Sequence, residues 1–192
     1  MTSKVNANEP VSELLLQSLA YLAPLSIDYP ILDLACGQGR NGLCLIEGGH
    51  DVVFADKNLA SLAYIKKSLR HELYDESKEY ATFWHVDFEQ PNFTELANKK
   101  YSAIVVFRYL HRALFTQIKQ AIIPNGLIVY ETFTTEQAQF GKPSNPDFLL
   151  NKGELRSIFS DWQILHYFEG VVSSNHSNTK QAIAQIIAIK TE

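Results

Sequence analysis

Cysteine is scarce: the 192 residues hold two, Cys36 and Cys44. Two thiols make no disulfide framework, so the chain reads as a protein of a reducing, cytoplasmic setting with both thiols free. An excess of positive charge is also missing. Lys and Arg number 17 against 21 Asp and Glu, a formal net charge of −4. Nothing global therefore favours a nucleic-acid partner, which would ask for a basic face. No apolar run is long enough to span a bilayer, so no membrane partner is expected. The patch LLLQSLAYL is interrupted by Gln17 and preceded by Glu9 and Glu13 rather than by a basic cluster, unlike a signal peptide. The six histidines fall in no H-x-x-x-H pattern and the cysteines in no C-x-x-C, so no metal site is expected.

What is present is ordinary globular composition, 46% hydrophobic and 20% charged, in a length that suits one domain over residues 1–192. Residues 1–10 are polar and read as loose. Leu15, Leu19 and Leu22 recur at helical spacing after Ser12, a candidate N-cap, and Pro24 ends that helix. Strand and helix patterns then alternate. Strands are expected at YPILDLA, HDVVFAD, ATFWHVD, YSAIVVF and LIVYETF. Helices are expected between them at RNGLCLIEGG, NLASLAYIKKSLRHEL and RALFTQIKQAII, with PNG as a turn. A short helix at KGELRSIFS precedes two strands, WQILHYFEG and QAIAQIIAIK, with no helix between them. The fold class is α/β: a doubly wound, mostly parallel seven-stranded sheet with helices on both faces and a C-terminal β-hairpin. Ligands of such sheets bind at the carboxyl ends of the strands, where the strand order reverses.

The stretch ILDLACGQGRNG carries a literal G-x-G-x-x-G run at Gly37, Gly39 and Gly42. In a dinucleotide site such glycines let backbone approach a pyrophosphate. Asp33, four residues before Gly37, would repel that dianion. S-adenosylmethionine (SAM) has no phosphate and carries a sulfonium and an ammonium, which an acid favours. Asp56 follows the second strand and suits ribose hydroxyls with either cofactor. Asp87 and Phe88 follow the third and suit an adenine, the carboxylate for its amino group and the ring for apolar contact. Three acids after three successive strands form a more specific constellation than the glycines alone. Gly42 lies inside the expected helix and reads as helix–sheet packing. Cys36 reads as a loop-packing residue.

These segments resemble the class I SAM-dependent methyltransferases. ILDLACGQG is similar to their first motif, with Ala35 where the family has its first glycine; FADKN and HVDFEQ are similar to the second- and third-strand motifs. The resemblance implies SAM as cofactor and S-adenosylhomocysteine as product. It implies cofactor contacts from Asp33, Ala35, Cys36, Gly37 and Gly39, from Asp56 and Lys57, from Asp87 and Phe88, and from Phe107 at the fourth strand tip. Ala35 costs little there only if its φ stays negative. FRYLHRALF and FGKPSNPDFLLNKGEL resemble segments of the tellurite-resistance-type methyltransferases, which implies a small or oxyanion-like substrate.

Arg108, Tyr109, His111 and Arg112 follow the fourth strand, on the expected substrate side. His111, or Tyr109 as second choice, is a candidate general base for a protonated acceptor. Arg108 and Arg112 either favour an anionic substrate or simply pair with nearby acids. Residues 132–151 are long for a connection and read as a lid, with Phe140, Asn145, Asp147 and Phe148 as candidate contacts. The expected activity is methyl transfer from SAM to a small-molecule acceptor, of anionic or chalcogen type among the options. Two alternatives stay open: a SAM-binding module that acts through a partner, and an NAD-dependent oxidoreductase.

Overall fold

The computed structural model describes residues 10–26, 28–71, 80–173 and 179–191. The N-terminal stretch expected to be loose lies outside the described residues apart from Pro10. Seven strands form one sheet: β1 (Ile31–Leu34), β2 (Val52–Asp56), β3 (Ala81–His85), β4 (Tyr101–Phe107), β5 (Ile122–Phe133), β6 (Gln163–Ser173) and β7 (Lys180–Ile189). Their order is β3-β2-β1-β4-β5-β7-β6. The first five run parallel, and β7 is antiparallel to both β5 and β6, which makes β6–β7 the expected hairpin.

Five α-helices are described: α1 (Glu13–Leu22), α2 (Arg40–Glu47), α3 (Leu59–His71), α4 (Leu114–Ala121) and α5 (Glu154–Ile158). Alternate residues of each buried strand supply two cores. Ile31, Phe54, Val105 and Val129 pack beneath α1, α2 and α3. Leu32, Ala55, Ile104 and Tyr130 pack beneath α4 and α5 on the other face. Burial on both faces is why these strands read as continuous apolar runs. The start of α3 is capped by a side chain. Asn58 Oδ1 accepts from the N–H groups of Ala60 (2.9 Å) and Ser61 (3.3 Å) at the start of α3. Ser12 does occupy the N-cap of α1, but its side chain makes no capping bond; its own N–H donates to Asn41 Oδ1 at 3.0 Å.

Element ends shift by a few residues from the sequence expectation, and at the end of α4 the shift changes the kind of element. Ile122 and Ile123 leave the helix and join β5, since Ile122 pairs with Tyr101. The next pair is Leu127 with Ala103, so Pro124, Asn125 and Gly126 bulge out of the ladder. Asn125 holds φ 63, and its N–H donates to the Lys190 carbonyl at 2.9 Å. The PNG turn is therefore a bulge inside a longer strand, sealed by the end of β7.

Candidate functional site

The order reversal places β1 and β4 side by side with their onward connections leaving in opposite directions. A cavity of ≈ 610 Å³ opens at their carboxyl ends. Four strand tips build it. Asp33, residues 35–38, Arg40 and Asn41 come from β1 and the turn beyond it, 56–58 from the end of β2, 86–89 from beyond β3 and 107–109 from the end of β4.

The loop after β1 turns through three positive φ angles: Ala35 at 54°, Gly37 at 55° and Gly39 at 78°. The Cys36 N–H donates to the Ala55 carbonyl at 3.0 Å, and the Gly39 N–H to the Cys36 carbonyl at 2.9 Å, which fixes the turn. A Cβ on Gly39 would lie 2.7 Å from Ile65 Cδ1, whereas one on Gly37 would meet nothing within 4 Å. Gly39 thus serves packing and Gly37 leaves backbone bare toward the cavity. The φ of Ala35 is positive, so the condition for a low cost is not met: it sits in the left-handed region that disfavours a Cβ. An alanine there is strained by about 1–2 kcal/mol, and glycine would return part of that as extra freedom of the unfolded chain. Ala35→Gly is accordingly expected to raise stability by about 0.5–1 kcal/mol; chemical denaturation that shows a loss would refute the strain.

Asp33 is 3% exposed, between β2 and β4 in the middle of the sheet. Its Oδ2 accepts from the Gly42 N–H at 3.0 Å, so it caps α2 as well as lining the cavity. Burial raises its pKa to about 7 against the pull of that hydrogen bond, and Asp56 adds to the rise. The carboxyl is therefore partly protonated at neutral pH, and its repulsion of a pyrophosphate is weaker than a fully ionised group would give. Gly42 packs as expected: a Cβ there would stand 2.3 Å from Phe54 Cε1 and 2.8 Å from Asp33 Oδ2. Burial, then the Asp33 charge, pushes the Cys36 thiol up, so Cys36 lines the cavity as an inert group.

Asp56 divides its carboxylate. Oδ2 accepts from the Gly37 N–H and Oδ1 from the Asn58 N–H, both at 2.8 Å. The second acid thereby holds the glycine loop of the first motif. Asp87 is half exposed and accepts from the Glu89 N–H at 3.0 Å. Phe88 is buried edge-on against Trp84 and Phe93 and lines the cavity. Lys57 reaches Glu89 at 3.0 Å and Asp87 at 4.0 Å. Its ammonium is thus already shared between two carboxylates. The Tyr109 phenol hydrogen-bonds Glu89; burial, then that carboxylate, pushes its pKa up.

Phe107, Arg108 and Tyr109 line the cavity from the β4 tip. Among the described residues, Gly39, His111, Arg112 and Asn145 do not. Arg112 is committed elsewhere: its Nε and Nη2 bind Glu154 at 2.7 and 2.9 Å, and its Nη1 and Nη2 donate to the carbonyls of Asp147 (3.1 Å) and Leu149 (2.8 Å). It is a strut beneath the segment read as a lid. Asn145 Oδ1 accepts from the Asp147 N–H at 3.1 Å and caps a short 3-10 turn, Pro146–Phe148. Gln137, 3% exposed, ties the same segment to β7 by accepting from the Ala182 N–H at 2.9 Å. Arg112→Ala is expected to cost about 1–2 kcal/mol, because its hydrogen bonds are partly solvent-exposed. Amide exchange should speed up in residues 145–151 and not in β4. Uniform protection in that variant would remove Arg112 from the support of this segment.

Sequence reading passed over Glu89, Asn41 and Tyr64, which also line the cavity. Glu89 had a signal, two residues after Asp87 at the same strand tip. Asn41 and Tyr64 reach the cavity from α2 and α3, and only helix placement puts them there. Among the described residues no group of three His, Cys, Asp or Glu is arranged to hold a metal ion, and no helix is long and apolar enough to cross a membrane.

The family model for Tellurite resistance protein TehB matches residues 17–188. The chain belongs to the TehB family. It is 27% identical over 170 residues to a probable S-adenosyl-L-methionine-dependent methyltransferase TehB of Haemophilus influenzae, covering 83% of this chain and 57% of that protein. This TehB-family chain thus spans a little over half the length of the curated relatives it matches. The crystal structure of TehB from Haemophilus influenzae superposes with a TM-score of 0.73 at 22% identity, over 99% of this chain and 64% of that one. The glycopeptide N-methyltransferase MtfA, complexed with sinefungin, gives 0.63 at 14% identity and 98% of both chains. These two likenesses establish a shared fold.

Proposed function

We propose that this TehB-family chain is a SAM-dependent methyltransferase acting on a small-molecule acceptor. The observation that carries the reading is the cavity itself: acids after β1, β2 and β3 and a bare glycine backbone converge on one space. The residues fit the cofactor. Asp56 retains lone pairs for ribose hydroxyls, Asp87 and Phe88 suit an adenine edge and face, and Asp33 behind the loop suits a cationic amino acid end. When bound, SAM supplies an electrophilic methyl on a sulfonium. The chain supplies alignment, with Phe88 as apolar contact at the adenine end and Phe107 at the β4 tip as the apolar wall that excludes water. Its relatives, described as probable SAM-dependent methyltransferases, support the same reading.

Neither His111 nor Tyr109 offers a ready base. His111 stands outside the lining, and Tyr109 keeps its proton. This favours an acceptor that arrives already deprotonated, of anionic or chalcogen type, and the family's tellurite-resistance description supports that choice. Thr132 and Phe133 belong to β5, paired with Ala184 and Ile183, so we read the rest of that segment, residues 134–151, as the cover of the acceptor side, and the two unpaired cysteines as support for a reducing, cytoplasmic setting.

Saturating S-adenosylhomocysteine should raise the melting temperature, since a ligand of the native state stabilises it by mass action, while NAD should not. A shift with NAD and none with S-adenosylhomocysteine would turn the reading to the oxidoreductase. Mass spectrometry of acceptors incubated with methyl-labelled SAM then tests transfer.

A further inference from the structure

One residue holds Arg108 at both ends. The Arg108 N–H donates to the Glu131 carbonyl at 2.8 Å, and its Nη2 lies 3.1 Å from Glu131 Oε1. Glu131 is 5% exposed near the end of β5, opposite Phe107 in the ladder. Its other oxygen accepts from Gln185 Nε2 at 2.5 Å, and Gln185 Oε1 is 3.3 Å from His166 Nε2. A relay of side chains thus runs from β6 through β7 and β5 to the cavity, where Arg108 forms part of the lining.

Two features separate this pair from ordinary surface pairing. Arg108 holds φ 59, a left-handed conformation that is costly for a residue with a Cβ and that gathers at functional sites. The carboxylate side chain that holds it is 6% exposed and the guanidinium side chain 30%, so the cost of desolvating the acid offsets much of the attraction within the pair. Fold stability alone gives little reason for the arrangement. The guanidinium carbon also sits 4.6 Å above the Phe133 ring, so its plane is steered from a second side.

We propose that Glu131 is a positioning residue that aims the Arg108 guanidinium at an anionic group of the methyl acceptor, with Gln185 and His166 fixing the carboxylate from behind. The proposal rests on the methyltransferase reading for what shares the cavity with that acceptor. Pairing with Glu131 leaves Arg108 with no net charge to offer as a unit. Recognition is then directional, through N–H groups in a fixed plane, and suits a carboxylate or oxyanion edge. A lysine could not reproduce it.

The test follows the Arg108 side-chain Nη–H signals by NMR in arginine-labelled protein, assigned by their loss in Arg108→Lys, and the signal of the Nη2 group that faces Glu131 is the readout. Acetate and selenite serve as minimal carboxylate and oxyanion probes, each titrated with and without S-adenosylhomocysteine. In the wild type the signal should be protected from solvent exchange at pH 7 and should move with at least one probe. Glu131→Gln should lose that protection and weaken the probe's apparent affinity about tenfold, as expected for loss of a charge-assisted hydrogen bond, with S-adenosylhomocysteine affinity kept within about twofold. Glu131→Asp should recover part of the protection. An Arg108 signal that neither probe moves, or that responds equally in Glu131→Gln, overturns the proposal. If Glu131→Gln does not fold, Gln185→Leu, which frees the second carboxylate oxygen, should reduce the protection, and an unchanged signal there also overturns it. Failure of S-adenosylhomocysteine to bind sinks the methyltransferase reading instead, while the anion titrations without it still judge Glu131.

Discussion

Asp33→Asn is expected to leave stability unchanged near pH 4 and to raise it progressively above that pH. The Asp33 carboxyl has an ordinary pKa of 3.8 and a folded value of about 7. Between those two values the native state keeps a proton that the unfolded chain has lost. The unfolded state then binds fewer protons, so stability falls as pH rises through this window. Below pH 3.8 both states are protonated and the residue contributes nothing. Above pH 7 the full cost of a buried charge is present, about 4 kcal/mol at 1.36 kcal/mol per pKa unit. Asparagine mimics the protonated acid and can still accept the Gly42 N–H. The difference in unfolding free energy between variant and wild type should therefore grow from near zero at pH 4 to about 4 kcal/mol at pH 8, on the order of 10 °C in melting temperature. A difference that does not change with pH would mean that Asp33 is ionised and solvated in the native protein. A cationic ligand near Asp33 would draw out its proton, so cofactor binding near pH 7 should release protons, and should do so less in Asp33→Asn. Calorimetry in buffers of different ionisation enthalpy measures that release.

Asp56→Ala is expected to weaken S-adenosylhomocysteine binding by about 1.5–3 kcal/mol, or roughly 10- to 150-fold, the range for hydrogen bonds to a charged group. Two losses combine. The carboxylate would no longer meet the ribose, and the Gly37 N–H, now held at 2.8 Å, would lose its acceptor. The second loss has a signature of its own: amide exchange at Gly37 should accelerate even without ligand. Asp56→Asn keeps an acceptor for one N–H and should fall between. Unchanged affinity in Asp56→Ala by calorimetry would remove Asp56 from the site.

The legibility of this site in the sequence varied with distance along the chain. Asp33, Gly37, Asp56, Asp87, Phe88 and Phe107 could be read because a parallel sheet puts every strand's carboxyl end on one edge. Position in a motif then implies position in space. The same logic fails one turn further on. His111, Arg112 and Asn145 follow strands too, but they lie where the chain has already turned away from the cavity. Arg112 meets Glu154, 42 residues later, and no local pattern announces that pairing. The strain at Ala35 was conditional in the sequence and became definite only with its φ of 54°.

The sequence by itself determined the alternation of strands and helices, the terminal hairpin and the three acids at successive strand tips. Apolar periodicity and turn residues are local and set these directly. Tertiary structure alone decided which groups are charged and which are engaged. Burial raises the Asp33 pKa to about 7, and Glu89 holds both Lys57 and Tyr109. Glu131, unremarkable in YETF, becomes the buried partner of Arg108 because β5 pairs with β4 on one side and β7 on the other. Electrostatic character depends on desolvation and on partners remote in the chain, and those exist only once the sheet has closed around them.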